Sequence, residues 1–342
     1  RSTLFPYTTL FRSGRRLLKS YRGKIEDLYT FGSIAVVDKD GKIVYSAGDP
    51  KEVSFPRSSA KLIQALVPLS LGAKEKFNLS HEEIAQICAS HSGEDFHIKT
   101  VTGILKKIGL DEGALKCGPH YPFKPEVELR MKVNNEKPRD IHNNCSGKHS
   151  GMLAAAVLMK ASTDNYYKPQ HPVQQKIREM IELICDCKIP DDNISVDGCG
   201  VPVHSLPLYN FAFGMARMAD YKNLPQNLST HAKDIIDSIT ACSEYTSGTD
   251  RIDHLLVKKY PGKLVVKSGA NGYFGGLLPD KKYGIAVKTY DGISKTRDIV
   301  LVHLLKKLGV IDKADYEYFD SIADKNIKNH RGEIAGEVVP QF

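Results

Sequence analysis

A chain of 342 residues, 41% of them hydrophobic, is long enough to bury a large core. Its net charge of +8 comes from lysines spread along the chain, without the clustering and interleaved aromatics of a nucleic-acid surface, and no apolar run reaches the length of a membrane span. Seven cysteines, an odd number without framework spacing, speak against a disulfide scaffold and point to a reducing, cytoplasmic compartment.

The first stretch, TLFPYTTLFRS at positions 3–13, reads as the translation of a sequencing-library adapter. Positions 1–13 are therefore expected to be non-native and are kept out of fold reasoning. Strand patterns follow at 33–38 (SIAVVD) and 42–47 (KIVYSA), around a Lys39-Asp40-Gly41 turn. Helical patterns then dominate: 58–71, 80–89, 96–108, 151–160, 172–187, 205–219 and 230–242. Ser80 and Glu83 form the S-x-x-E signature of a capping box at one of these starts. Three more strand patterns, 263–267, 273–278 and 283–288, precede an amphipathic helix over 291–308. The expectation is an α/β (α+β) fold. An antiparallel sheet of about five strands is flanked by helices, a mainly helical lobe lies in the middle, and the site falls between sheet and lobe. One catalytic domain should span 14–310, and 311–342 is set apart as a C-terminal tail.

Four runs carry the chemistry. In FPRSSAKLIQ (55–64), Ser58 and Lys61 share a helical face at S-x-x-K spacing. A desolvated lysine with a lowered pKa can take the proton of a serine nucleophile, although a serine N-cap before an exposed lysine gives the same spacing. In CASHSGE (88–94), Ser90, His91 and Ser92 sit in a turn after a helix, able either to donate protons to a substrate or to cap the helix. IHNNCSGKHSGM (141–152) packs Asn, Cys, Ser, Lys and His ahead of an apolar helix, a polar density that is normally solvated or employed. Lys267-Ser268-Gly269 ends a strand. S-x-x-K, a Ser-x-Ser turn and Lys-Ser-Gly stand in the chain order of the serine β-lactamase and penicillin-binding group.

The runs FPRSSAK, CASHSGE, HNNCSGKHSGM, HPVQQ and DGCGVP together resemble the bacterial L-asparaginase II family, the thermolabile, rhizobial-type group, over about residues 21–308. The resemblance implies a serine β-lactamase/glutaminase-like fold and conversion of L-asparagine to L-aspartate and ammonia. It supports Ser58 as nucleophile with Lys61 as its base, and Ser90 with Lys267 as a second Ser–Lys pair that relays a proton to the leaving group. It also implies a zinc ion held by Cys145, Lys148 and Cys199, with thiolates selecting that metal and a fourth position left open.

For an amino-acid substrate, Arg57 is a candidate fork for the α-carboxylate and Asp197 an acceptor for the α-ammonium. His91, His142, Asn144 and His149 could line the pocket; each histidine could equally hold a structural hydrogen bond. Cys185 and Cys187, at C-x-C spacing, read as incidental thiols. Two positions depart from the resembled pattern: Asn271, where an acidic residue is expected, and Tyr29, where a histidine is expected. The expected partner is a small-molecule substrate, with neither nucleic acid nor membrane, and a homodimer is compatible with this reading. Rival readings are a β-lactamase or DD-peptidase-like acyl-transferring enzyme, a glutaminase, and a non-catalytic zinc-binding protein.

Overall fold

Ile34, Ala35, Val36 and Val37 are all fully buried. A continuous apolar run of this kind makes a strand covered on both faces, and it forms the centre of the sheet. The computed structural model describes residues 14–342; the segment 1–13 lies outside the described residues. In chain order the strands of the main sheet are β1 (Arg15–Arg22), β2 (Ile25–Asp38), β3 (Ile43–Ala47), β4 (Val265–Ser268), β5 (Tyr273–Leu278), β6 (Tyr283–Thr289), β7 (Asn326–Lys328) and β8 (Ile334–Pro340). Their order is β7-β8-β1-β2-β6-β5-β4, with β3 also paired to β2. Every pairing is antiparallel; Val36 stands opposite Ile285, and Val266 opposite Gly276.

Helices cover both faces. Helix Leu208–Ala219 lies against the face that carries Gly275 and Gly284. A Cβ on Gly284 would sit 1.8 Å from the Ala212 carbonyl oxygen, so glycine is what allows this close approach. Phe274, adjacent to Gly275 and thus on the opposite face, carries the guanidinium of Arg297 over its ring, from helix Ser294–Lys307. The remaining helices, chiefly His81–Ile87, Asp95–Lys107, Ser146–Leu158, Pro172–Cys185 and Gln226–Ala241, build the helical lobe. The expected class, antiparallel sheet and flanking helices are all present. Among the described residues no helix is long and apolar enough to cross a membrane.

The main sheet has three strands beyond the five expected, and two small two-stranded sheets, Val53–Ser54 with Leu206–Pro207 and Ile194–Val196 with Pro202–His204, stand apart from it. Leu17 and Leu18 in β1 are both buried among charged neighbours, which hides the period of two. Residues 311–342 are not a detached tail. They form helix Lys313–Ala323, capped by the Asp312 carboxylate, then β7 and β8, and β8 pairs with β1 from Leu18↔Pro340 to Arg22↔Gly336. The expected helix 58–71 is broken into a 3-10 turn, Arg57–Ala60, and two short helices, Lys61–Gln64 and Leu66–Ser70. The helix expected from 151 begins at Ser146, which places Lys148 and His149 on its first turn. Helices Pro125–Val133 and Ile252–Lys259 were not anticipated.

Candidate active site

The site is built where the broken helix meets the end of β4. Arg57 adopts a left-handed backbone, φ 51°, which is costly for a residue with a Cβ. Its side chain is anchored by Asp197, with Nε 2.9 Å and Nη2 2.5 Å from Oδ1. Ser59 Oγ donates to the Lys267 carbonyl oxygen at 2.7 Å, pinning the turn onto β4. Ser58, between them, is half-buried, and its hydroxyl has no hydrogen-bond partner among the described residues. Lys61 is 1% exposed. Its Nζ donates to the Ala89 carbonyl oxygen (2.6 Å), Ser90 Oγ (2.9 Å) and Cys145 Sγ (3.1 Å). Three acceptors use all three donors of an ammonium.

Ser90 follows helix His81–Ile87, whose Ser80–Glu83 capping box is formed as expected. Its backbone N–H donates to the Thr246 carbonyl oxygen (2.9 Å), and that of His91 to the Asn144 carbonyl oxygen (3.1 Å). The hydroxyl of Ser90 meets Lys61, and no hydrogen bond joins Ser90 to Lys267 among the described residues. The second pair expected from the sequence is thus not formed as a contact: the buried amine nearest Ser90 belongs to Lys61.

On the other side, Cys145 immediately precedes helix Ser146–Leu158, without a capping bond from its side chain. Gly147 lets that helix close on its neighbour, since a Cβ there would lie 2.1 Å from the Gln86 carbonyl oxygen. Lys148, one turn from Cys145, donates to Cys199 Sγ at 3.0 Å. A hydrogen bond from Cys145, reinforced by the Lys148 ammonium, pulls the Cys199 thiol down to about 5 despite its burial. The same bond and burial push Cys145 up to about 12. Of the two sulfurs, Cys199 is the one whose ionised form is favoured. Among the described residues no three His, Cys, Asp or Glu side chains form a metal-binding group. The set that could hold a soft divalent ion is two thiols and one amine: Cys145, Cys199 and Lys148.

Lys267, fully buried in β4, has Nζ 3.2 Å from the Ser268 carbonyl oxygen and 3.5 Å from Asp253 Oδ2. Burial brings it down to about 8, with Lys61 adding to the effect and Asp253 opposing it. Asp253 is a residue that sequence reading missed. It stands in RIDHLL, and one acid on a helix of ordinary pattern gives no signal of what it will face.

The substrate-recognition candidates divide. Arg57 and Asp197 are each other's partners, not two free anchors. His91 is satisfied on both ring nitrogens, meeting Ser146 Oγ through Nε2 (2.8 Å) and accepting from Gly93 N–H at Nδ1 (3.1 Å). Burial holds its pKa well below the ordinary value, so it stays a neutral structural element. His149 meets the Tyr166 hydroxyl through Nδ1 (2.7 Å) and is lowered to about 3 by burial; its Nε2 is buried without a partner. Asn144 donates its backbone N–H to His120 Nε2 (2.9 Å), and His142 accepts from Arg139 N–H (3.0 Å). Asn271 is exposed with a left-handed backbone, φ 57°, and the Tyr29 hydroxyl donates to Glu26 (2.8 Å). An open groove of about 790 Å³, lined by Glu112, Lys116, Arg139 and Tyr167 among others, holds none of the candidates.

The family model described as L-asparaginase II matches residues 18–340. No curated protein sequence matches the chain. Among solved structures, Mglu in its glutamate form shares 16% identity at a TM-score of 0.45, with 82% of this chain and 61% of that one covered, so this chain spans about three fifths of its length. A Bacillus glutaminase shares 14% identity at a TM-score of 0.37, covering 82% of this chain and 91% of that one. An octameric penicillin-binding protein homologue from Pyrococcus abyssi shares 14% identity at a TM-score of 0.42, covering 81% and 73%.

Proposed function

Because the chain belongs to the L-asparaginase II family, and so is an amidohydrolase, we propose that it converts L-asparagine to L-aspartate and ammonia by a serine–lysine mechanism. The observation that carries this reading is the buried Lys61 amine, 2.9 Å from Ser90 Oγ and three residues from Ser58, whose hydroxyl has no partner among the described residues. In the reading, Ser58 Oγ attacks the side-chain carboxamide carbon as its proton passes to Lys61, the base of the pair. Ser90, bonded to Lys61, passes a proton on to the amide nitrogen, and the carbon–nitrogen bond breaks as ammonia leaves. Water, deprotonated by the same base, then attacks the acyl-enzyme and frees aspartate. Lys267 keeps the local field positive when protonated and acts as a proton reservoir near pH 8.

The Arg57–Asp197 pair suits an amino-acid substrate. A zwitterion brings one carboxylate and one ammonium, so it can enter between the two side chains and replace each partner with an equivalent one. Each charge then has a partner in the bound state, which limits the desolvation cost.

Cys145, Lys148 and Cys199 fit zinc as a donor set, since Cys199 is already ionised at neutral pH. When bound, zinc would supply a fixed positive charge able to polarise an oxygen. Lys148 must give up its proton to ligate, so affinity should fall as pH falls. The test of the reading is ammonia release from L-asparagine and L-glutamine side by side. The expected result is a higher kcat/KM for asparagine; no turnover of asparagine by folded protein at neutral or alkaline pH overturns it.

A further inference from the structure

Asp253 is not used by the chemistry above, yet its surroundings are tightly organised. It lies on the first turn of helix Ile252–Lys259 and is 1% exposed. Its Oδ2 accepts from Ser268 N–H (2.8 Å) and Ser268 Oγ (2.8 Å) and lies 3.5 Å from Lys267 Nζ. Its Oδ1 is buried and has no partner among the described residues. A neutral carboxyl would place a proton on one of these oxygens. The three donors on Oδ2 and the surrounding cations favour the charged form. Consistently, although burial works the other way, Lys267, Arg251 and Arg297 hold Asp253 below the usual carboxylate range.

The groups that face Lys267 are few. Asp253 comes from helix Ile252–Lys259, Lys61 from the broken helix and Cys88 from the end of helix His81–Ile87, with Arg251 and Arg297 further cations. Burial keeps Cys88 a neutral thiol, pushed up to about 12. Asp253 is the carboxylate that touches this lysine, and burial raises the nearby Asp298 carboxyl, bonded to Arg297, to about 6. Ser268 also ties the carboxylate to β4 through two bonds from a single residue, fixing where that charge sits relative to the lysine next to it in sequence.

We propose that Asp253 is a positioning residue, which orients Lys267 through β4 and sets the pH at which Lys267 releases its proton. The proposal rests on the reading of Lys267 as a proton reservoir. A negative neighbour favours the charged ammonium, so removing its charge must lower the Lys267 midpoint. Asp253→Asn keeps the shape and an acceptor oxygen for Ser268 while removing the charge.

The experiment follows the lysine 13Cε resonances of labelled full-length protein through a pH titration, with the Lys267 signal assigned by its loss in Lys267→Arg. In wild type the midpoint is expected near 8. In Asp253→Asn it should fall by about one pH unit or more. An unchanged or higher midpoint overturns the proposal, as does a loss of kcat or Tm with the midpoint fixed, which is what a merely structural role gives. If Asp253→Asn does not fold, Ser268→Ala decides. It takes one donor from the carboxylate and leaves more of the charge to Lys267, so the midpoint should rise, and a midpoint that stays or falls overturns the proposal. Absence of wild-type turnover counts against the asparaginase reading alone, because the resonance titration needs no catalysis.

Discussion

Two buried lysines, Lys148 and Lys267, sit in one site and respond in opposite directions. Burial acts to lower both. At Lys148 it is outweighed by Cys199, Cys145 and Asp197, and the ammonium is held above the ordinary lysine range. At Lys267 it wins, although a carboxylate faces the amine. The geometry accounts for the difference. Cys199 Sγ is 3.0 Å from Lys148 Nζ, whereas Asp253 Oδ2 is 3.5 Å from Lys267 Nζ and shares its charge with two bonds from Ser268. Three other cations, Lys61, Arg251 and Arg297, also act on Lys267. An acidic neighbour does not by itself keep a lysine charged; the sum over neighbours does, and here it raises Lys148 and lowers Lys267.

Lys61 joins the two halves, touching Cys145 on the thiol side and repelling Lys267 on the other. Its removal should therefore have the largest effect. Ser58→Ala and Lys61→Ala are each expected to lower kcat for asparagine by about 10³-fold or more, and the double variant should be little worse than either, since members of one catalytic unit are not additive. Steady-state kinetics of the three proteins measures this. Additive losses would mean that the two residues do not act together.

The next effect sharpens the thiol side alone. Metal analysis of the wild-type protein should find about one zinc per chain, by the three-ligand argument. Cys199→Ser should reduce that content sharply, because the lowered thiolate is the donor it removes. Lys267, on the carboxylate side, should titrate unchanged. Zinc retained in full by the variant, or absent from wild type supplied with the metal, would remove Cys145, Lys148 and Cys199 as a metal site.

The two halves also differ in how far the sequence exposed them. The thiol half lies in runs of unusual density, HNNCSGKH and DGCGVP, and the structure brings Cys145, Lys148 and Cys199 together. The carboxylate half was legible only as far as Lys267. Asp253 reaches it from a helix whose existence was not anticipated, and its role depends on a hydrogen-bond register that no spacing encodes. The Ser90–Lys61 contact shows the same limit. Both residues were visible as chemistry, but which serine faces which amine is set by how helix Lys61–Gln64 packs against the turn after helix His81–Ile87. In the fold, the buried runs of β2, β4, β5 and β6 carried their own signal. Short strands such as β7, and β1 with its adjacent buried leucines, gain their meaning only from the partner they pair with.

The smallest expected effect separates stability from chemistry on the helix that delivers Ser90. Ser80 Oγ accepts from Glu83 N–H (3.4 Å), while Glu83 accepts from Ser80 N–H (2.8 Å) and Lys107 Nζ (2.6 Å). Ser80→Ala removes one of these bonds and leaves the others, so it should cost about 1 kcal/mol and lower Tm by roughly 2 °C in a chain of this size. Catalysis should not follow. The far end of the helix is held independently, by Ser90 N–H on Thr246 and His91 N–H on Asn144, and the Ala89 carbonyl is fixed by Lys61. Thermal melts and kcat/KM measured on the same preparation test this. A drop of about tenfold in kcat/KM, equivalent to about 1.4 kcal/mol in the barrier, would show that Ser90 is placed by the start of its helix. The loops at its end would then not suffice, and the serine–lysine contact would be coupled to a cap two turns away.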